Sequence, residues 1–402
     1  MDLMFHTFAR MNTALLAAVI LAAISTAFAF LFLFLVARRA WQHFCARRFD
    51  SLSLKIHEEW REIVRGEIPA GAWRNDPVQC EILQSIVIQE IGAAANKDRA
   101  VLQEFLRASG LIARCIEIMR SGHGWTKRRA MLALGAMRVP EAIAPLAETL
   151  GDWCFDTRMT AVQALGCTRL AEAAEPIVEM HMAGKLKTPA GPVTNALVHC
   201  CMDRPEALLP HLRRSQGELR EILARAASEQ ATAGMADEMI FLSNDPRPQV
   251  RACAAKALAV APLALAIPAL ANLVRDDVWF VRLRAVLALN HIRHPRAIPI
   301  LLEALRDTNR LIRMSAATIL ARFEHETVDI LQNVVDSRDR YALHAMISAL
   351  ELGGGFDRVM AQLSDPMLHD EMAAMLLDAL REGAAGLWTM HPANPVVESV
   401  FP

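Results

Sequence analysis

Tyrosine occurs once in these 402 residues, as Tyr341, and aromatic residues together make up only 6%. A large β-sandwich or barrel draws on aromatic and β-branched side chains, so that class is excluded. Lysine is scarce too: of 43 basic residues only Lys55, Lys97, Lys127, Lys185, Lys187 and Lys256 are lysine. Arginine bias with abundant alanine fits a GC-rich bacterial genome. None of the eight cysteines forms a Cys-x-x-Cys pair, which points to buried free thiols in a reducing compartment. The net charge of −1 leaves no global basic footprint for nucleic acid. A hydrophobic share of 53% excludes a disordered polyampholyte.

Motifs of catalysis are missing as well. There is no phosphate-binding loop, since Gly353-Gly354-Gly355 lacks a following Lys-Ser/Thr and reads as a turn or helix break. His-Glu-x-x-His and Gly-x-Ser-x-Gly are absent. The densest metal-capable group is His199, Cys200, Cys201 and His211. Adjacent cysteines on a helix point about 100° apart and zinc sites prefer Cys-x₂₋₄-Cys, so a core role is expected over a metal site. His291 and His294 read as a surface turn. The expectation is a non-enzyme with no catalytic residue, cofactor or metal.

What is present begins with one apolar run. Met11 to Ala37 holds no charged residue and spans roughly 40 Å as a helix, enough for a hydrocarbon core of about 30 Å. Only this segment is long enough to span, which excludes a polytopic transporter. Arg38, Arg39, Arg47 and Arg48 follow it, against Arg10 and Asp2 before it. The positive-inside rule puts the N-terminus outside and the rest in the cytoplasm of a bacterial inner membrane. A cleaved signal peptide with Ala27-Phe28-Ala29 fits less well, because the apolar run continues to Val36 and the basic cluster follows it. Ala14, Ala18, Ala22 and Thr26 recur every four residues. They make either a plain anchor or a packing face for another membrane helix. Trp41, Phe44, Cys45 and Phe49 among arginines suggest an interfacial helix on anionic lipid. Expected boundaries are 1–37 for the anchor, 38–77 for a basic helix and linker, 78–382 for a repeat array and 383–402 for an extended tail.

The array has a period. Arg251, Arg282 and Arg313 stand 31 apart, each preceded by six residues by Asp245, Asp276 and Asp307. Ala254, Ala285 and Ala316 follow the arginines by three, and Leu258, Leu289 and Leu320 by seven. Asp152, Arg158, Ala161 and Leu165 repeat the set, and Lys127 brings Ala130 and Leu134. Stepping forward reaches His344 with the polar anchors gone. Second helices carry Pro145-Leu146, Pro268-Ala269-Leu270 and Pro299-Ile300-Leu301, proline being tolerated in a first helical turn. Such self-similarity indicates a solenoid, about nine helix pairs long, in an all-α fold.

This Asp…Arg-x-x-Ala-x-x-x-Leu register followed by Pro-x-Leu resembles the HEAT-repeat family, in a short form similar to the repeats of phycobilisome lyases. The resemblance implies protein–protein binding, with second helices on the concave surface. The ladder Asp152/Arg158, Asp245/Arg251, Asp276/Arg282 and Asp307/Arg313 is expected to be structural. Each aspartate would cap a helix and each arginine would reach the previous repeat's aspartate or loop carbonyls.

Charge separates along the array, +7 over 243–322 against −9 over 323–402. Arg275 and Arg306, again 31 apart, form with Arg310 a candidate basic stripe for an anionic partner; the alternative is a solvated face. Trp125, Trp153 and Trp279 lie near their anchors, either packed under loops or forming a rim for a protein partner, with Trp279 the partner-binding candidate. The reading is a membrane-anchored scaffold for a protein partner. A membrane enzyme such as an envelope or exopolysaccharide glycosyltransferase system is the client in view. A bilin-lyase-like or other ligand-binding enzyme and a nucleic-acid binder are the alternatives.

Overall fold

The computed structural model describes residues 2–64, 77–93, 96–363, 374 and 376–381. The expected tail 383–402, and residues 65–76 of the expected linker, lie outside these. Every regular element among the described residues is helical, and the chain divides into two compact units, 1–137 and 138–402.

The first unit opens with α1, Asp2–Val64. This one helix carries the apolar run and the basic segment without a break at residue 37. Its candidate membrane span is Ile24–Ser51, within which an 18-residue window has a mean hydropathy of 1.5 and none of that window is buried in the protein. By length and composition α1 can therefore cross a membrane. α2 (Pro77–Ala93), α3 (Asn96–Ser109), α4 (Leu111–Ser121) and α5 (Gly124–Ala136) complete the unit. α1 packs on α2, and α4 on α5. Ala130, Met131, Ala133 and Leu134 of α5 are buried.

The second unit starts with α6 (Ile143–Glu148) and continues, among the described residues, as seven helix pairs. First helices are α7 (Phe155–Cys167), α9 (Ala190–Cys200), α11 (Gly217–Glu229), α13 (Pro248–Ala257), α15 (Trp279–Ile292), α17 (Arg310–Leu320) and α19 (Arg340–Leu352). Second helices are α8 (Ala174–Met182), α10 (Leu209–Arg214), α12 (Ala236–Leu242), α14 (Leu263–Leu273), α16 (Ile298–Ala304), α18 (Thr327–Asp336) and α20 (Phe356–Leu363).

Each first helix packs on the next through a buried quartet spaced i, i+1, i+3, i+4. Ala254, Ala255, Ala257 and Leu258 recur as Ala285, Val286, Ala288 and Leu289, then Ala316, Ala317, Ile319 and Leu320. Small side chains let the helices approach closely, as ridges settle into grooves. α7 and α9 approach closely at Gly166, where an added Cβ would lie 2.9 Å from Ala196 Cα.

The quartets also show that the period is not constant. Val193, Thr194, Ala196 and Leu197 stand 32 after Ala161, Val162, Ala164 and Leu165. Leu223, Ala224, Ala226 and Ala227 come 30 later, and Met346, Ile347, Ala349 and Leu350 stand 30 after α17's quartet. A fixed step of 31 therefore misses the register of α9 and of α19. One expected proline also moves: Pro268 stands inside α14 rather than in its first turn, because α14 begins directly after Pro262.

The triple glycine ends α19. Gly354 adopts φ +65°, Gly354 N–H donates to Glu351 O (3.1 Å) and Gly355 N–H to Leu350 O (2.8 Å). This is a Schellman ending, and the left-handed residue is the reason a glycine stands there. Arg138, Arg169 and Arg293 also have positive φ, in the turns after α5, α7 and α15.

Candidate protein-binding surface

The ladder residues lie at the starts of first helices in the second unit. Asp245, Asp276 and Asp307 each accept the backbone N–H two residues on, from Arg247, Val278 and Asn309 (3.0, 2.9 and 2.7 Å). These N–H groups belong to the residues that flank the helices, so the aspartates shape the entering loop. Side-chain caps inside the array come instead from Asn309 and Asp339.

The arginines reach forward, to the following repeat, where the sequence suggested a backward reach. Arg251 grips Asp276 with two bonds (2.6 and 2.9 Å), and Arg282 grips Asp307 likewise (2.6 and 3.0 Å). Arg220 holds Asp245 (2.6 Å) in the same way. A third guanidinium N–H stays at home: Arg251 Nη1 donates to Asp245 O, Arg282 Nη1 to Asp276 O and Arg313 Nη1 to Asp307 O (3.0, 2.9 and 2.7 Å). Arg251 and Arg282 thereby tie their own loop to their successor's, whereas Arg313 bonds its own loop alone. The guanidinium suits this role because its donors form a rigid fork. At the start of the unit Arg158 bonds carbonyls, Asp152 O (2.9 Å), Trp153 O (3.1 Å) and Lys187 O (3.3 Å), and lies over the Phe155 ring (5.7 Å). α9 has Ala190 at the arginine position, a consequence of its shifted register.

Burial raises the carboxyl pKa of Asp276, but the Arg251 bonds and the Val278 N–H outweigh it, leaving the group below its usual range. Asp307 is held down by Arg282 and Asn309 against the same burial, and Glu303 by Arg275. Folded-state values below the unfolded ones mean a contribution complete above about pH 5 and lost as pH falls through the folded values. The midpoint of thermal unfolding is therefore expected to hold between pH 7 and pH 5 for this set and to drop at pH 3. Circular dichroism melts across that range check it, and an unchanged midpoint at pH 3 would contradict the assignment.

Among the described residues no three of His, Cys, Asp and Glu come together as a metal site. Cys200 and Cys201 are buried, and burial pushes the Cys201 thiol up to about 12. His211 is buried beside Glu175 (3.4 Å) and Arg214 (3.0 Å), its pKa lowered chiefly by burial. His294 accepts the Arg296 N–H in a turn, and His291 is exposed.

The tryptophans do not pack under loops. Trp125, Trp153 and Trp279 are exposed, Trp153 to 92%. In the second unit Trp153, Phe155, Trp279, Leu311 and Tyr341 stand exposed near the starts of first helices, five to eight residues before the buried quartets. Tyr341 lies over the Arg313 guanidinium (5.3 Å).

The arginines proposed as a stripe are unequal. Arg275 makes two 2.6 Å bonds to Glu303, so its charge is already matched. Arg306 and Arg310 are exposed and make no ion pair among the described residues. Arg306 lines a cavity of 450 Å³ with Glu303, Asp307 and Asn333. In α1, Ala18, Ala22 and Thr26 are exposed, while the side chain of Ala14 lies outside the described set.

A family model for HEAT repeats matches residues 112–184 and 267–351. No curated protein matches the chain. Similar solved structures include an engineered protein, 16% identical, with 81% of this chain and 99% of that one covered and a TM-score of 0.34. YibA of E. coli is 17% identical, covering 68% and 96%, at 0.33. The karyopherin Kap121p, bound to the extreme C-terminus of the phosphatase Cdc14p, is 14% identical, covering 80% and 41%, at 0.42. The family match and the paired helices agree: residues 112–184 and 267–351 of this all-α chain are HEAT repeats.

Proposed function

We propose that the protein is a non-catalytic, membrane-anchored scaffold whose HEAT array binds a protein partner. The observation that carries it is the set of exposed Trp153, Phe155, Trp279, Leu311 and Tyr341 near the starts of first helices. Large aromatic side chains on rigid elements are the groups that dominate protein interfaces. The ladder charges of Arg251, Asp276, Arg282 and Asp307 are consumed internally, so the array offers its aromatic edge and its unmatched arginines to a partner.

α1 supplies the anchor. Arg38, Arg39 and Arg47 flank exposed Trp41 and Phe44, whose rings lie 6.1 Å apart, a composition suited to an anionic lipid interface. Positive residues after the apolar run favour a cytoplasmic array at a bacterial inner membrane. Anchoring raises the local concentration of the array beside a membrane partner, and an envelope or exopolysaccharide glycosyltransferase complex is a client of that kind.

The test is purification of the full-length protein and of residues 38–402 from native membranes in mild detergent, with mass spectrometry of what co-purifies. A stoichiometric membrane protein with the full-length bait is expected, reduced with 38–402. Ile at both Ala18 and Ala22 should weaken that recovery if the small-residue face packs on the partner. Absence of any stoichiometric protein with either bait would overturn the scaffold reading.

A further inference from the structure

The repeat register exposes a deficit at one interface. Aligned by their buried quartets, α17 and α19 are 30 residues apart. Glu303 then corresponds to Asn333 and Asp307 to Ser337. The local bonds confirm the second pairing: Ser337 Oγ accepts the Asp339 N–H (3.2 Å), as Asp307 accepts that of Asn309. In the preceding repeat Arg275 binds Glu303 and Arg282 binds Asp307. Their successors are Arg306 and Arg313. Both would reach for a carboxylate, and both find an amide or a hydroxyl instead. Arg306 makes no side-chain bond among the described residues, and Asn333 turns back to Asp329 O (2.7 Å). Arg313 bonds only loop carbonyls and the Tyr341 ring.

These two substitutions face one space. Arg306, Asp307, Asn333 and Ser337 all line the 450 Å³ cavity, together with the matched pair Arg275 and Glu303. Arg313 meets its wall through Asp307 O. A repeated architecture thus leaves two guanidinium groups and a cavity where it elsewhere places two carboxylates.

We propose that this cavity receives acidic side chains of the partner protein, whose carboxylates take the places that Asn333 and Ser337 leave empty of charge. The inference rests on the scaffold reading and specifies the chemistry of its partner. Arginine–carboxylate bonds are charge-assisted and favour two-point geometry, so a partner carrying two carboxylates four positions apart at a helix end matches the sequence spacing of Glu303, in the last turn of α16, and Asp307, just beyond it.

The probe is a fluorescent Ala/Leu-rich helical peptide with two glutamates four positions apart, against its glutamine counterpart. Anisotropy is measured on the full-length protein in lipid nanodiscs. The glutamate peptide should bind at least about tenfold tighter. Arg306→Gln should abolish that preference, whereas Arg296→Gln, an exposed arginine outside the cavity, should keep it. The double variant Asn333→Glu/Ser337→Asp should also abolish it while raising the unfolding midpoint, because the chain then supplies its own carboxylates. No preference in the native protein, or a preference that survives either the double variant or Arg306→Gln, would overturn the proposal. So would a concentration-dependent increase in molar mass that Arg306→Gln removes, which would give the cavity to a second copy. Partner recovery from membranes unchanged by Arg306→Gln would overturn this site and leave the scaffold standing.

Discussion

Asp276→Ala is expected to destabilise the second unit by about 3 kcal/mol, because it strips the forward bonds from a mostly buried arginine. Asp276 is only 8% exposed at its side chain and Arg251 17%. The alanine removes two guanidinium bonds and the Val278 N–H bond at once. Arg251 retains its bonds to Asp245 O and Pro246 O, yet its charge is left without a counter-charge. The midpoint in urea measures the loss. Hydrogen exchange should locate it, with protection falling at α13 and α15 before α7. A double-mutant cycle with Arg251→Ala isolates the pair, and a coupling near zero would make the ladder decorative. Arg313→Ala is a useful contrast, since it breaks carbonyl bonds but no ion pair.

Gly166→Val should cost a comparable amount by a different route. Here nothing polar is lost. The added Cβ would sit 2.9 Å from Ala196 Cα and 3.2 Å from Ala196 Cβ. The neighbour at closest range is backbone, which has no rotamer by which to yield. α7 and α9 must separate, and overpacking of this kind costs about 1–3 kcal/mol. The chain offers a compensation test: Ala196→Gly alone should be mildly destabilising, whereas with Gly166→Ala it should recover part of the loss. A Gly166→Val protein with an unchanged midpoint would show that the two helices are not held at this distance.

Most of the architecture was legible in the residues. The 31-residue step was visible because each repeat must present the same small face and the same loop charges to its neighbours. The apolar run was visible because hydrocarbon admits no charge over that length. The direction of the ladder was not visible. An arginine that can reach loops on both sides gives one sequence pattern for two geometries, and only the packing of α13 against α15 selects the forward one. The shifts to 32 and 30 were hidden as well, since turns absorb single residues without altering the helices that the pattern marks.

Sequence by itself determined the all-α class, the HEAT character, the membrane-competent helix and the identity of the ladder residues, all consequences of local composition and spacing. Tertiary structure decided which charges remain for a partner. Arg275 and Arg306 are alike in sequence, both ending a second helix before an aspartate. One is matched by Glu303 and the other faces Asn333 across a cavity, because the position equivalent to Glu303, found only once α16 and α18 are aligned at 30 residues, carries an uncharged amide. A charge is available or spent according to what packs against it, and that is a property of neighbours in space.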